Sequence, residues 1–181
     1  MSGRTRKVES QLKEIVGEEV LLDANLEAGR GAKAAIVGEY GEVSYERLLA
    51  MACAAGRALK ALGVQREQRV LMVMDDTPAF PAVFLGAIRA GMVPVPLNPL
   101  FKADDYRYLL ADSDAQAVIV DLELLDKVRD ALAAHPERVE LIVVGGATEG
   151  AHAFARSSSA GSWTWRRRTS RCTSAASRPR P

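Results

Sequence analysis

The stretch RVLMVMDDTPAFPAVFLGAIRAGMVPVPLN, Arg69–Asn98, has the pattern of one strand–helix–strand unit. The apolar run Val70–Met74 lacks polar alternation, as expected for a strand that is buried on both faces of a parallel sheet. Asp75–Thr77 supply cap-type side chains, and the helix is expected to begin at Pro78, where a missing N–H costs nothing. The pattern therefore predicts two parallel strands joined through a helix.

The helix of this unit is predicted to carry one apolar face and to end at a glycine. The apolar side chains at helical spacing are Phe80, Val83, Phe84, Ala87 and Ile88. Gly91 can adopt the left-handed conformation that ends a helix, and the next strand begins at Val93. Pro94 and Pro96 each remove a donor from the strand ladder, so this strand is expected at a sheet edge or to be irregular.

A hairpin and a long helix are predicted before this unit. Ala34–Val37 and Glu42–Ser44 flank a turn at Glu39–Gly41, which indicates a β-hairpin with glycine at positive φ. Ser44 is expected to cap a helix over Tyr45–Leu62. Its predicted inward face consists of Leu48, Leu49, Ala52, Ala55, Leu59 and Leu62.

The alternation of strands and helices continues after Asn98. We predict a helix over Ala103–Ala111, a strand over Ala117–Val120, and a second strand over Val139–Val144. Asp121 is expected to cap the helix between the two strands, whose apolar residues are Leu122, Leu125, Val128 and Leu132 and which closes at His135-Pro136. The sequence predicts the α/β class, with an open, mainly parallel sheet and flanking helices.

Several of these segments together resemble a known family. The string DTPAFPAVFLGAIRAGMVPVPLNPL, followed by the acidic DDYRYLLADSDAQAVIVD, resembles the N-terminal portion of the adenylate-forming acyl-CoA synthetases. Within that superfamily the Asp-Thr-Pro-x-Phe-Pro and Asp-Asp-Tyr-Arg-Tyr strings look most like benzoate-CoA ligases and related aryl-CoA ligases. Because NLEAGRGAKAAIVGEYGEVSYERL is also similar to that family's opening, the resemblance spans Asn25–Gly145.

The resemblance implies an enzymatic activity, but that activity depends on motifs and a domain of the family that this sequence does not contain. Family members use ATP, Mg and CoA to convert a carboxylic acid, such as benzoate, through an acyl-adenylate to its CoA thioester. This work rests on a Ser/Thr/Gly-rich phosphate loop ending in Pro-Lys-Gly, on later acidic motifs, and on a lysine in a mobile C-terminal domain. Ser157–Ser162 is only faintly similar to the loop. We therefore assign no catalytic, cofactor-binding or metal-binding residue, and we expect a truncated ligase fragment that is inactive alone.

Charge divides the 181-residue chain into two parts. Residues 1–150 hold 17 Lys+Arg against 23 Asp+Glu, whereas residues 151–181 hold seven Arg and no acid, which gives the overall charge of +1. We divide the chain into a lead-in helix in 1–24, around Val8–Val20, an α/β subdomain in 25–150, and a basic tail in 151–181. The tail has no Ile, Leu, Val or Met. It is expected to be disordered, because it offers little apolar surface to offset the entropy of ordering.

An out-of-frame origin would explain the tail's composition. In aryl-CoA ligases the corresponding linker often reads like Leu-Asp-Leu-Ala-Pro-Ala-Asp, and its G+C-rich codons read one base later give Trp-Thr-Trp-Arg-Arg-Arg-Thr. The chain carries that peptide at Trp163–Thr169. We hypothesise a frameshift after about residue 150. Sequencing the gene beyond its stop codon tests this hypothesis, which predicts a Pro-Lys-Gly loop in another frame.

Acidic pairs occur beside predicted helices. Asp75 and Asp76 follow a strand, where ligand sites in open α/β sheets gather, so they could serve as a base or as magnesium ligands. Helix capping is the preferred interpretation of both. A second set is interpreted in the same way, as first-turn and turn residues, and consists of Asp104, Asp105, Asp112 and Asp114.

The remaining reactive residue types lack neighbours at useful spacing. His135 and His152 are interpreted as surface histidines, and Cys53 as a small buried hydrophobe. Cys172 is the only other cysteine in the sequence. Two cysteines indicate neither a disulfide scaffold nor a metal site, so we expect a reducing, cytoplasmic compartment. No stretch of 18 uncharged apolar residues is present, and the N-terminus lacks the apolar region of a secretory signal, so no membrane span is predicted.

Two other functions stay open on the sequence. Trp163, Trp165 and Arg166–Arg168 combine stacking rings with positive charge, so a non-enzymatic interaction protein could use them to bind nucleic acid or a partner. A small nucleotide-binding α/β protein would need a phosphate-binding loop that the sequence does not contain. Nucleic acid is not the expected partner. The expected partners are the remaining part of a ligase, and other copies that associate through exposed sheet surface.

Overall fold

The computed structural model describes residues 19–134, 139–156 and 163–166. The strands are β1 Ala34–Gly38, β2 Gly41–Ser44, β3 Arg69–Val73, β4 Val93–Pro96, β5 Ala117–Asp121, β6 Glu140–Val144, β7 His152–Arg156 and β8 Trp163–Arg166. The α-helices are α1 Ala24–Glu27, α2 Tyr45–Ala61, α3 Ala79–Arg89, α4 Ala103–Ser113 and α5 Leu125–Ala133, with a π-helical turn at Glu19–Asp23 and a 3-10 turn at Leu122–Leu124. The predicted helix over Val8–Val20 lies almost wholly outside the described residues.

A six-stranded sheet in the order β4-β3-β5-β6-β7-β8 organises the fold. The first five strands in this order run parallel, and β8 pairs antiparallel with β7. The predicted open, mainly parallel α/β sheet is therefore confirmed. β4 forms one edge, as Pro94 and Pro96 required, because an edge strand tolerates residues that cannot donate to a ladder.

Helices cover both faces of the central strands. On one face α2 and α3 pack over side chains that include Met72, Ile119 and Ile142. On the other face α4 and α5 pack over Val118 and Val120. Exposed large apolar side chains near the sheet lie at the β4 edge and on the loop and helix after it, at Val93, Leu100, Phe101 and Tyr108, and directly after β5, at Leu122.

Helices α2 and α3 approach each other closely at two glycines. A Cβ atom on Gly86 would lie 2.3 Å from the Ala52 carbonyl oxygen, and one on Gly56 would lie 2.6 Å from the Gly86 carbonyl oxygen. Both distances are far below van der Waals contact, so only glycine allows this backbone separation. The two glycines let the α2–α3 layer lie close enough to seal one face of the sheet.

The hairpin before α2 forms as predicted. β1 and β2 pair antiparallel across Glu39-Tyr40, and Gly41 has φ +88°. The Ser44 hydroxyl accepts a hydrogen bond from the Arg47 backbone N–H at 3.3 Å, which confirms the predicted cap. The hairpin packs through Val43 on the α2 layer and so stands beside the carboxyl edge of the sheet.

The predicted capping of α3 by Asp75–Thr77 is wrong. Pro78 occupies the N-cap position with helical dihedral angles, and no side chain caps the helix. The chain instead turns through a Thr77 N–H to Asp75 carbonyl hydrogen bond of 2.7 Å. A proline at the cap removes one backbone donor from the helix start, so the need for a side-chain cap is smaller there.

Two stretches of the segment that is expected to be disordered form strands. β7 pairs in parallel with β6, and Phe154 is 1% exposed within the core under α2 and α3. β8 extends the sheet beyond β7. A few apolar side chains are enough here, because the edge of β6 supplies backbone hydrogen-bond partners. Residues 157–162 and 167–181 lie outside the described residues.

Candidate functional site

The carboxyl ends of β3, β5 and β6 form the floor of a cleft of roughly 370 Å³. The β1–β2 hairpin and the start of α2 form its outer wall. The lining residues are Tyr40, Glu42, Val43, Arg47, Asp75, Thr77, Pro78, Asp121, Leu122, Glu123, Val144 and Gly145. We call this feature the switch-point cleft, for the reason that follows.

The cleft lies where the strand order reverses. From β3 the chain first adds β4 on one side, and it then returns to add β5 on the other side of β3. The connections after β3 and β5 therefore diverge to opposite faces of the sheet. In open α/β sheets the resulting crevice at the carboxyl ends is where ligands bind.

Asp75 and Asp121 meet across this crevice. The Asp75 backbone N–H donates a hydrogen bond of 2.7 Å to Asp121 Oδ2. The predicted role of Asp121 as a helix cap is wrong, because the 3-10 turn after β5 has no side-chain cap. Asp121 instead accepts the hydrogen bond of the Asp75 backbone N–H, which belongs to the connection after β3.

The electrostatics of the cleft are unfavourable to a charged Asp121. The pKa of the Asp121 carboxyl is raised to about 6, mainly by burial and also by the nearby Asp75 and Glu123 carboxylates, whereas the hydrogen bond from the Asp75 backbone N–H opposes this shift. At the outer wall, a hydrogen bond to Glu39 raises the pKa of Tyr40. The acidic residues that line the cleft therefore give it a negative electrostatic potential.

Two further properties of the cleft concern polar groups. The Thr77 hydroxyl oxygen is fully buried at the wall and has no hydrogen-bond partner within the described part of the chain. Residues 19–134, 139–156 and 163–166 contain no group of three His, Cys, Asp or Glu side chains that could hold a metal ion.

The structure places the other candidate acids and Cys53 on or beside helices. Asp104 and Asp105 lie in the first turn of α4, and the Asp105 carboxylate accepts a hydrogen bond from the Lys102 backbone N–H at 2.9 Å. Asp114 occupies the left-handed position after α4, at φ +50°, whereas Asp112 lies within the helix and not in a turn. Cys53 on α2 is half-buried and free.

The interpretation of His152 as a surface histidine is wrong. Its side chain is buried on β7, and Nε2 lies 3.1 Å from Glu140 Oε2 on β6. His135, Cys172 and Ser157–Ser162 fall outside the described residues. Trp163 and Trp165 belong to β8 by their backbone.

The pattern of the AMP-binding enzyme family matches residues 23–178. The chain belongs to this family. It is 42% identical over 126 residues to a 4-hydroxybenzoate–CoA/benzoate–CoA ligase of Rhodopseudomonas palustris, covering 70% of this chain and 23% of that protein. It is 40% identical over 130 residues to a benzoate–CoA ligase of Thauera aromatica, covering 71% of this chain and 25% of that protein.

Solved structures of the AMP-binding family share the fold. A benzoate CoA ligase from Burkholderia xenovorans superposes with a TM-score of 0.65 at 40% identity, over 70% of this chain and 25% of that one. An anthranilate CoA ligase in complex with anthranoyl-AMP gives a TM-score of 0.66 at 28% identity, over 71% of this chain and 25% of that one. The chain therefore spans about a quarter of the length of these relatives, and its fold matches the N-terminal subdomain of benzoate-CoA ligase.

Sequence reasoning missed the site as a whole. It placed Asp75 at the carboxyl end of a strand but did not bring Asp121, Glu42 or Arg47 to it. The signal that could have found the pair is the recurrence of Asp directly after two buried strands, since carboxyl ends of parallel strands share one edge.

No helix in the described ranges is long and apolar enough to cross a bilayer.

Proposed function

We propose that this chain is the first α/β subdomain of an AMP-forming aryl-CoA ligase, and that the acid activated by the complete enzyme is an aromatic carboxylate of the benzoate type. The observation that carries this proposal is the identity of about 40% to benzoate and hydroxybenzoate ligases, sustained over 70% of the chain. More remote relatives of the family that act on other acids are less similar, at 32% over 42% of the chain for a long-chain-fatty-acid–CoA ligase of Mycobacterium tuberculosis.

The subdomain supplies a scaffold in this proposal, and it does not complete the reaction alone. Adenylate formation needs donors and cations placed around a transferring phosphoryl group. The printed sequence has no Ser/Thr/Gly-rich loop ending in Pro-Lys-Gly. The described cleft is lined by four carboxylates, and their negative potential opposes the binding of polyphosphate.

A ligase assay tests the proposed inactivity. The purified chain is incubated with benzoate, ATP, Mg²⁺ and CoA, and AMP and benzoyl-CoA are measured, with the Thauera aromatica benzoate–CoA ligase as the positive control. We expect no product above the enzyme-free background. Formation of benzoyl-CoA by this chain alone would overturn the proposal.

A chimera tests the scaffold role separately. Residues 25–145 replace the matching segment of the Thauera aromatica ligase, and kcat/KM for benzoate is compared with that of the parent enzyme. We expect retention within about tenfold, a change of roughly 1.4 kcal/mol, because the phosphate loop, the acidic motifs and the lysine on which the family's reaction rests lie outside the substituted segment. A chimera that melts cooperatively near the parent's Tm and yet is inactive would contradict the role.

A further inference from the structure

The switch-point cleft has the dimensions and walls of a small-molecule site. Its volume of roughly 370 Å³ falls within the usual range of about 300–1,000 Å³ for ligand pockets. Apolar side chains from three elements, Val43, Pro78 and Val144, face polar groups across it. A ligand with an apolar body and one polar head is the shape that such walls fit.

The charged side chains around the cleft indicate whether the polar head of a ligand would be cationic or anionic. The hairpin contributes Glu42 and the titratable Tyr40, α2 contributes Arg47, and the connection after β3 contributes Asp75. The end of β5 contributes Asp121, and the 3-10 turn after it contributes Glu123. Among the described residues that line the cleft, four carboxylates thus face one guanidinium. A positively charged head relieves their mutual repulsion, whereas an anionic head adds to it.

Two observations favour an organic cation over a metal ion. The described residues, with 135–138 and 157–162 excepted, hold no group of three side chains that could ligate a metal. The cleft also sets apolar side chains, Val43, Pro78 and Val144, beside its acids, and these suit a hydrocarbon body better than a hydrated metal ion. An ammonium or guanidinium group carries several N–H donors and can serve more than one carboxylate.

We propose that the switch-point cleft binds a small organic cation, a protonated amine or guanidinium on an apolar body, with Asp121 and Asp75 holding the charged head. The four acids of the cleft repel an aromatic carboxylate. Binding restores the charged form of Asp121, so affinity rises with pH through the range around 6.

Three probes with the same phenyl body test the sign of the head group. Benzylamine, benzyl alcohol and benzoate are titrated at pH 7.5 into the ¹⁵N-labelled chain, and the Asp75 amide resonance is followed, since that N–H contacts Asp121 directly. We expect a saturable shift with benzylamine, a dissociation constant at least about tenfold higher for benzyl alcohol, and no shift with benzoate.

Matched variants locate the binding. Asp121→Asn and Asp75→Asn are each expected to weaken benzylamine binding by about tenfold. The wild-type protein at pH 5 should also bind benzylamine about tenfold more weakly than at pH 7.5. Asp126→Asn, whose carboxylate is 93% exposed on α5 outside the cleft, should leave it unchanged. Equal affinity for benzyl alcohol and benzylamine, or benzylamine binding that both cleft variants leave unaltered, would overturn the site. These titrations contain no ATP or CoA, so their outcome is independent of the ligase assay.

Discussion

The backbone N–H of Asp75 donates a 2.7 Å hydrogen bond to Asp121 Oδ2, a residue 46 positions further along the chain. This bond joins the carboxyl ends of β3 and β5, which are adjacent strands of the sheet. Asp121 is held there although burial and two neighbouring carboxylates make its charged form unfavourable. The burial of the Asp121 carboxyl therefore makes the stability of the fold depend on pH.

Asp121→Asn is expected to stabilise the protein at pH 7.5. The pKa of Asp121 is raised to about 6 in the fold, above its unfolded value of 3.8, so the folded state binds the proton more tightly. Stability from this group is fully present below pH 3.8 and is lost as the pH rises through 6. The full shift corresponds to about 3 kcal/mol, and partial solvation reduces the expected gain to about 1–2 kcal/mol.

Urea unfolding at pH 7.5 and at pH 5 measures this effect. Asparagine keeps an oxygen that accepts the Asp75 N–H, so the variant differs from wild type mainly in charge. The advantage of the variant should shrink at pH 5, where wild-type Asp121 is largely protonated. Asp126→Asn, at a fully solvated position, serves as the control and should change stability by less than about 0.5 kcal/mol at both values. An advantage of Asp121→Asn that does not depend on pH would contradict the assignment.

Gly86→Ala is expected to destabilise the α2–α3 layer. The new methyl group would lie 2.3 Å from the Ala52 carbonyl oxygen, and because both groups are fixed to helix backbones the helices must separate. Overpacking of this kind costs about 1–3 kcal/mol and exceeds the gain of up to about 1 kcal/mol from helix propensity. The measurement is the free energy of unfolding, with Gly38→Ala as a control because a Cβ there meets nothing within 4 Å. Equal stability of the two variants would show that the helices do not touch at Gly86.

Much of the fold follows from local sequence. Gly91 takes φ +82° at the end of α3, as its position after the apolar helix face predicted. Pro94 and Pro96 direct β4 to the sheet edge by removing ladder donors. These features depend on the conformational preferences of single residues, which the sequence displays directly.

The cleft depends on strand order, which the sequence does not display. Asp75 and Asp121 each resemble a helix cap when they are considered alone, and only the adjacency of β3 and β5 brings them together. That adjacency results from long-range packing of two cores. The tail shows the same limit, since a compositional average over residues 151–181 hides the few buried side chains, such as Phe154, that fix β7.

Phe154→Ala tests whether β7 belongs to the folded core. The side chain is 1% exposed among residues of α2, β5 and β6, so its removal leaves a cavity and should cost about 3–5 kcal/mol. Tyr108→Ala removes a side chain that is 66% exposed and should cost less than about 0.5 kcal/mol. Thermal or urea unfolding compares the two variants. A cost below about 0.5 kcal/mol for Phe154→Ala would mean that the core is complete without β7.

Tyr106→Phe tests how the connection after β4 is anchored to the sheet. The Tyr106 ring lies on the buried face of α4, and its hydroxyl donates a 2.9 Å hydrogen bond to the Asn98 carbonyl oxygen. Phenylalanine keeps the packing and removes only this bond, so we expect a loss of about 0.5–1.5 kcal/mol. Hydrogen exchange should increase at the Phe101 amide, which donates to the same carbonyl at 3.1 Å. Tyr108→Phe is the matched control, and if both variants behave alike the hydroxyl of Tyr106 does not hold this connection in place.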